Sequence, residues 1–201
     1  MNPTKRLFLL SSLGAALLLA GCKDASQPGP GAAAPAPPAA VSAPVSIEAI
    51  TAEAQGFNVG STMSARTVYV FFDAQCPHCA ALWEAAKPLK SQARFVWIPV
   101  GLLNENSTLQ GAAILASADP VAAMEQHEVS MREKKGGIAP AGGDAQKQAV
   151  GRNTQLMTKF GFPSVPTIVG KHAQTGELVT IDGALPTAAL AAKLGLQAPG
   201  A

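Results

Sequence analysis

Cys76-Pro77-His78-Cys79 sets two thiols three residues apart, directly after the apolar run Val68-Tyr69-Val70-Phe71-Phe72. A strand feeding a Cys-x-x-Cys at the start of a helix suits thiol–disulfide exchange. The first thiol then meets the unpaired N–H groups and positive dipole end of the helix, which favour the thiolate. Pro77 fits the first turn, where its missing N–H is no loss. His78 can add positive charge beside Cys76. These features make Cys76 the attacking nucleophile and leave Cys79, one turn on, to resolve a mixed disulfide.

Other uses of the four residues fit less well. A structural disulfide closing so short a loop stabilises a fold weakly. A zinc site needs about four ligands, and only His78, His127 and His172 remain to complete one, with no second Cys-x-x-Cys or His pair. Covalent haem attachment needs His after the second Cys, where Ala80 stands. No metal is therefore expected, and no cofactor beyond a redox-active Cys76–Cys79 disulfide. A non-enzymatic alternative is a tethered chaperone or copper(I)-delivery protein, because soft thiolates suit copper(I).

The elements that must position the motif follow from pattern and punctuation. Residues 46–55 suggest a short opening helix. Thr67–Phe72 is a buried strand by its β-branched and aromatic content. Pro77–Ala86 carries the motif, and Pro88 ends or kinks that helix near Lys87. Arg94–Val100 is the next strand, completing a βαβ unit. Leu109–Ser117 reads as an apolar helix. Asp119-Pro120 opens another, to about Arg132. After a loop at 134–143, Asp144 is expected to cap a helix ending at Phe160-Gly161. Thr167–Val169 and Leu178–Ile181 are strands joined by a turn at 174–176, and Pro186–Leu194 is a closing helix. The resulting fold class is α/β, thioredoxin-like, with a helical insertion at about 104–160.

Among the remaining residues, His127 and His172 read as solvated, and Met131–Lys135 as an exposed helix end. Trp83 reads as core. Asp73 is assigned a structural place at the strand end. Phe160 and Phe162 are core, with one of them available to an apolar patch beside the thiols.

Lys5 and Arg6 precede a largely apolar stretch of fourteen residues, Leu7–Ala20. That is short for a membrane span and right for a signal-peptide core. Leu19-Ala20-Gly21-Cys22 resembles the lipobox of bacterial lipoproteins, which implies cleavage after residue 21 and lipidation of Cys22. Residues 22–45, rich in Ala and Pro, read as a tether that could reach roughly 60 Å in polyproline-like form. Residues 46–201 are enough for one domain with its own core. The chain holds three cysteines, so one for lipid and two for exchange leave none for a structural bridge. Without Lys5 and Arg6, 13 basic residues face 13 acidic ones, and no basic stripe points to nucleic acid.

From about Thr67 to Leu196 the chain resembles the periplasmic Dsb thiol–disulfide proteins, most of all the catalytic domain of the DsbC/DsbG type. The carrying segments are 72–79 with Trp83, then Gly111–Ser117, then Ser164-Val165-Pro166-Thr167. The resemblance implies a cis-Pro166 beside the thiols, with Val165, Pro166 and Thr167 binding an extended substrate. It implies protein substrates, reductase, isomerase or repair activity, a DsbD-like membrane reductase as partner, and a periplasm-facing location, to which the lipobox resemblance adds the lipid anchor. Pro77-His78 and Val165-Pro166 resemble DsbA instead, which keeps open a dithiol oxidase recharged by a DsbB-like partner. Val70 occupies the place of the buried acid of thioredoxin and DsbA, as in the DsbC/DsbG branch. The dimerisation domain of that branch has no counterpart in the sequence, so a monomer is expected.

Overall fold

The computed structural model describes residues 42–200. The leader at 1–21, Cys22 and most of the 22–45 tether lie outside the described residues. Residues 42–45 differ from a free tether: Ala43 N–H donates to Lys159 O (2.8 Å), and Ala43 and Val45 pack on the core. Their apolar side chains have a surface to cover.

Five strands form one mixed sheet, in the order β1-β3-β2-β4-β5. These are β1 (Phe57–Gly60), β2 (Thr67–Asp73), β3 (Arg94–Val100), β4 (Thr167–Lys171) and β5 (Leu178–Asp182). β2 and β3 run parallel, and the other pairs are antiparallel. Six helices surround the sheet: α1 (Ile47–Glu53), α2 (Pro77–Ala86), α3 (Glu105–Ala116), α4 (Pro120–Arg132), α5 (Asp144–Lys159) and α6 (Thr187–Leu194). A 3-10 turn at Lys87–Leu89 follows α2, where Pro88 removes the N–H that an α-helix would need.

Both faces of β2 are covered, which is why Val68–Asp73 is buried without alternation. Val68, Val70 and Phe72 join Trp97, Leu82, Trp83, Met124 and Leu190 on one face. Tyr69 and Phe71 join Ile50, Leu156 and Phe160 on the other. Trp83 is core as expected, its ring edge-on to Trp97 at 5.0 Å. Phe160 is buried, and Phe162 stacks edge-on against Phe71.

Three boundaries depart from the sequence reading. β1 was not anticipated. α3 begins at Glu105, because the Asn104 side chain accepts from Asn106 N–H (2.9 Å) while Ser107 Oγ accepts from Asn104 N–H (3.2 Å). Gly143, not Asp144, is the N-cap of α5, and its N–H donates to Gln146 Oε1 (3.1 Å). Gly111 explains one carrying segment: a Cβ there would stand 3.0 Å from Pro99 Cβ, so α3 lies directly on β3.

Candidate functional site

Cys76 caps the N-terminus of α2 with no side-chain capping bond of its own, and Pro77 stands in the first turn. The helix is held at the end of β2 by Asp73. One carboxylate oxygen of Asp73 accepts from Gln75 N–H (2.8 Å); the other accepts from Leu102 and Leu103 N–H (2.8 and 3.0 Å). Asp73 thus ties the ends of β2 and β3 together beneath the motif, the structural place expected of it.

The two thiols have opposite environments. Cys79 is fully buried, and Asp73 N–H points at its sulfur (3.4 Å). Burial pushes its pKa far up, and the hydrogen bond it makes to Cys76 adds to the rise. Cys76 is drawn down to about 6. The hydrogen bond from Cys79 is the main cause; burial opposes it, while the N–H groups of Cys79 and His78 and the charge of His78 assist. A thiolate at Cys76 beside a neutral thiol at Cys79 is the arrangement an attacking and a resolving thiol require. Both cysteines are free thiols in this structure.

Opposite the motif, the Val165–Pro166 bond is cis. Cys76 S–H donates to Val165 O at 3.6 Å, so the loop before β4 meets the reactive sulfur. Thr167 departs from the expected substrate edge. It is fully buried, its hydroxyl donates to Ser164 O (2.7 Å), and it pairs with Phe71 and Asp182 in flanking strands. With both strand neighbours present, it shapes the loop and has no edge to offer.

The helical insertion contributes residues that the sequence reading placed elsewhere. His127 is not solvated: it is fully buried, its Nε2 bonds Ala74 O (2.7 Å), and its Nδ1 accepts from Ile138 N–H (3.3 Å). Burial lowers its pKa, and the bond to Ala74 O only partly offsets this. Gln110, also buried, bonds Gln75 and donates to Gly136 O (2.6 Å) and Ile138 O (3.1 Å). Gly137 makes room for this junction: it has φ +89°, and a Cβ would lie 2.5 Å from the His127 ring. Met131 is likewise no free helix end. With Glu128, Arg132 and the outer residues of α2 it borders a groove of about 360 Å³ that reaches Cys76. The signal was present in the sequence: Met124, His127, Glu128 and Met131 repeat as i, i+3, i+4, i+7 on one helix face. His172 does lie in a turn, where its Nδ1 accepts from Thr175 N–H (3.3 Å).

Among the described residues no cluster of His, Cys, Asp and Glu is arranged to hold a metal ion, and no helix is long and apolar enough to cross a membrane.

The family model of the thioredoxin-like domain matches residues 59–198. The thiol:disulfide interchange protein DsbG of Pseudomonas aeruginosa is 34% identical over 120 residues, covering 57% of this chain and 46% of that protein. DsbG of Escherichia coli is 32% identical over 103 residues, covering 50% and 42%. The chain thus matches rather less than half the length of these curated relatives. The catalytic domain of Proteus mirabilis ScsC superposes with a TM-score of 0.58 at 17% identity, covering 74% of this chain and 96% of that one, a likeness of fold. The motif-bearing helix at the end of a parallel strand pair, the cis-proline loop facing it and the match over residues 59–198 agree: this chain belongs to the thioredoxin-like family.

Proposed function

We propose that this protein exchanges thiols and disulfides with cysteine-bearing proteins in the periplasm, as a DsbG-like reductase, isomerase or repair protein. The observation that carries the reading is the geometry of the two thiols: Cys76 at the N-terminus of α2 against the Val165 carbonyl, and Cys79 buried one turn behind it. Cys76 thiolate attacks one sulfur of a substrate disulfide, and the other sulfur leaves as a thiolate. Cys79 then attacks Cys76, releasing the reduced substrate and leaving a Cys76–Cys79 disulfide. Val165 offers its backbone to an extended substrate, and Pro166 fixes the loop. His78 tunes the thiolate. Cys22 is the proposed lipid anchor, and a DsbD-like membrane reductase the proposed electron donor.

The potential of the Cys76–Cys79 pair tests the direction: a value towards that of thioredoxin, about −270 mV, is expected of a reductase, and one near that of DsbA, about −120 mV, reverses it. Cys76→Ser is expected to abolish insulin reduction, and full activity in that variant overturns the mechanism. Cys79→Ser is expected to trap a mixed disulfide with a DsbD-like reductase in cells; capture of a DsbB-like oxidase instead reverses the direction.

A further inference from the structure

The groove beside Cys76 has a chemistry that the exchange reaction does not use. Ala74, Pro77, Ala80, Ala81 and Met131 give it an apolar lining, and Cys76 stands at its edge. Glu128, 98% buried, also lines it, and its Oε2 has no hydrogen-bond partner among the described residues. A buried carboxylate without a partner is costly, so its place in the wall of an open groove points to a missing donor.

The neighbouring charges do not supply that donor. Glu84 on α2, Lys87 in the following turn, and Glu125 and Arg132 on α4 surround Glu128. Lys87 Nζ lies 2.9 Å from Glu84 and 2.7 Å from Glu125, and Arg132 Nη1 lies 3.1 Å from Glu84. Three carboxylates thus face two cations, both engaged elsewhere, and Glu128 is left over.

We infer that this groove receives a long basic side chain, lysine or arginine, carried by the substrate polypeptide close to its reacting cysteine. The alkyl stem lies along Ala80, Ala81 and Met131, and the cationic head meets the Glu128 carboxylate as it turns outward from beneath the groove wall, where its Oε2 is closed to solvent. In an extended chain, residues two apart share a face. The basic residue therefore belongs two positions before or after the cysteine that meets Cys76. Burial raises Glu128 to about 7, so the site gains its full charge only above neutrality.

This inference rests on the exchange reaction proposed above. The test uses the reduced protein and symmetric disulfides of short peptides, each with one cysteine among Gly and Ser. Lysine or norleucine is placed in turn at each of the two positions on either side. Cys76 attacks one peptide sulfur and Cys79 resolves, so one peptide disulfide is reduced to two thiols as Cys76–Cys79 is oxidised. Initial rates are divided by those with glutathione as reductant, which removes the peptides' intrinsic reactivity. The expected result is a preference of about tenfold for lysine over norleucine at a position two from the cysteine, the size of one charge-assisted hydrogen bond. In Glu128→Gln the ratio is expected to fall to about one. In the unaltered protein it is expected to grow between pH 6 and 8, a readout that needs no variant and that a purely structural Glu128 would not move. Equal rates for both peptides, a norleucine preference, or a lysine preference that survives Glu128→Gln and ignores pH overturns the pocket while the exchange reaction stands. Reduction of neither peptide overturns the exchange reaction itself.

Discussion

The loop Val165–Thr167 and the helical insertion both border Cys76, and they are held in different ways. The loop presents backbone: the Val165 carbonyl faces the sulfur, and Thr167 secures the turn from within. The insertion presents side chains: His127 and Gln110 fix Ala74 and Gln75 just before the motif, and Glu128 and Met131 border the groove. A backbone contact reads any extended polypeptide, whereas a side-chain surface can choose among them. The same division separates a general exchange centre from the part of the molecule able to give it preferences.

The largest expected effect is at the sulfur the two regions share. The thiolate fraction of Cys76 falls about tenfold per pH unit below its value of about 6, so alkylation by iodoacetamide should slow about a hundredfold between pH 7 and pH 4. Cys79 should stay unlabelled across that range, since burial pushes its pKa up. Mass spectrometry of the labelled peptide separates the two. A profile centred near 8.5, the value of an unperturbed thiol, would mean that Cys79 and the start of α2, which lie between the two regions, do not hold the thiolate.

His127→Ala breaks the insertion side alone. It deletes a fully buried ring and leaves Ala74 O and Ile138 N–H without partners, a loss of about 3 kcal/mol. Denaturant unfolding measures it. The pH dependence should change as well. A histidine whose folded pKa is lowered contributes stability that is complete above its unfolded value of about 6.5 and is lost as pH falls through the lowered value. His127→Ala should lose that part of the acid sensitivity. Stability within about 0.5 kcal/mol of the parent would show that the insertion is anchored by packing and not by these bonds.

Much of this was legible in the chain. The motif helix and β3 carry their boundaries in Pro77, Pro88 and the apolar run after Arg94. β1 was hidden because Phe57-Asn58-Val59-Gly60 is four residues with two poor strand formers, and it pairs with β3 across a long stretch of sequence. The start of α3 was hidden because Glu105-Asn106-Ser107-Thr108 looks like a loop until Ser107 and Asn104 are seen to cap each other. His127 was misplaced for a related reason, and Glu128 beside it drew no reading. Polarity argues for solvent, but their spacing from Met124 and Met131 argues for the inner face, and the spacing prevailed. Residues that hold a site together through backbone acceptors leave no composition signal, because their partners are peptide groups.

Thr167→Val tests the loop side and should cost less than His127→Ala. It removes one hydroxyl, keeps the volume and frees Ser164 O in a part-buried turn. A loss of about 1 kcal/mol follows, seen as a fall of about 2–4 °C in Tm. The rate constant for Cys76 alkylation should change more in this variant than the stability does, since Val165 O moves with the turn. If Thr167→Val proves as damaging as His127→Ala, the loop is no looser than the insertion and the division between the two regions fails.

Glu84→Gln is the mildest of these changes and shows what kind of force holds the insertion against α2. Glu84 receives both Lys87 and Arg132, and Arg132 carries that contact across to α4. Its side chain is 47% exposed, so solvent and salt screen both pairs. Exposed pairs of this kind contribute about 0.5 kcal/mol, and side-chain ordering opposes part of that. The buried bonds of His127 and Gln110, made to Ala74 and Gln75 just before α2, have no such screening. Glu84→Gln should therefore leave unfolding within about 0.5 kcal/mol of the parent, and 0.5 M salt should reproduce that small loss in the unaltered protein. A loss of several kcal/mol, removed by salt, would make the ion pairs and not the buried junction the attachment between insertion and active-site helix.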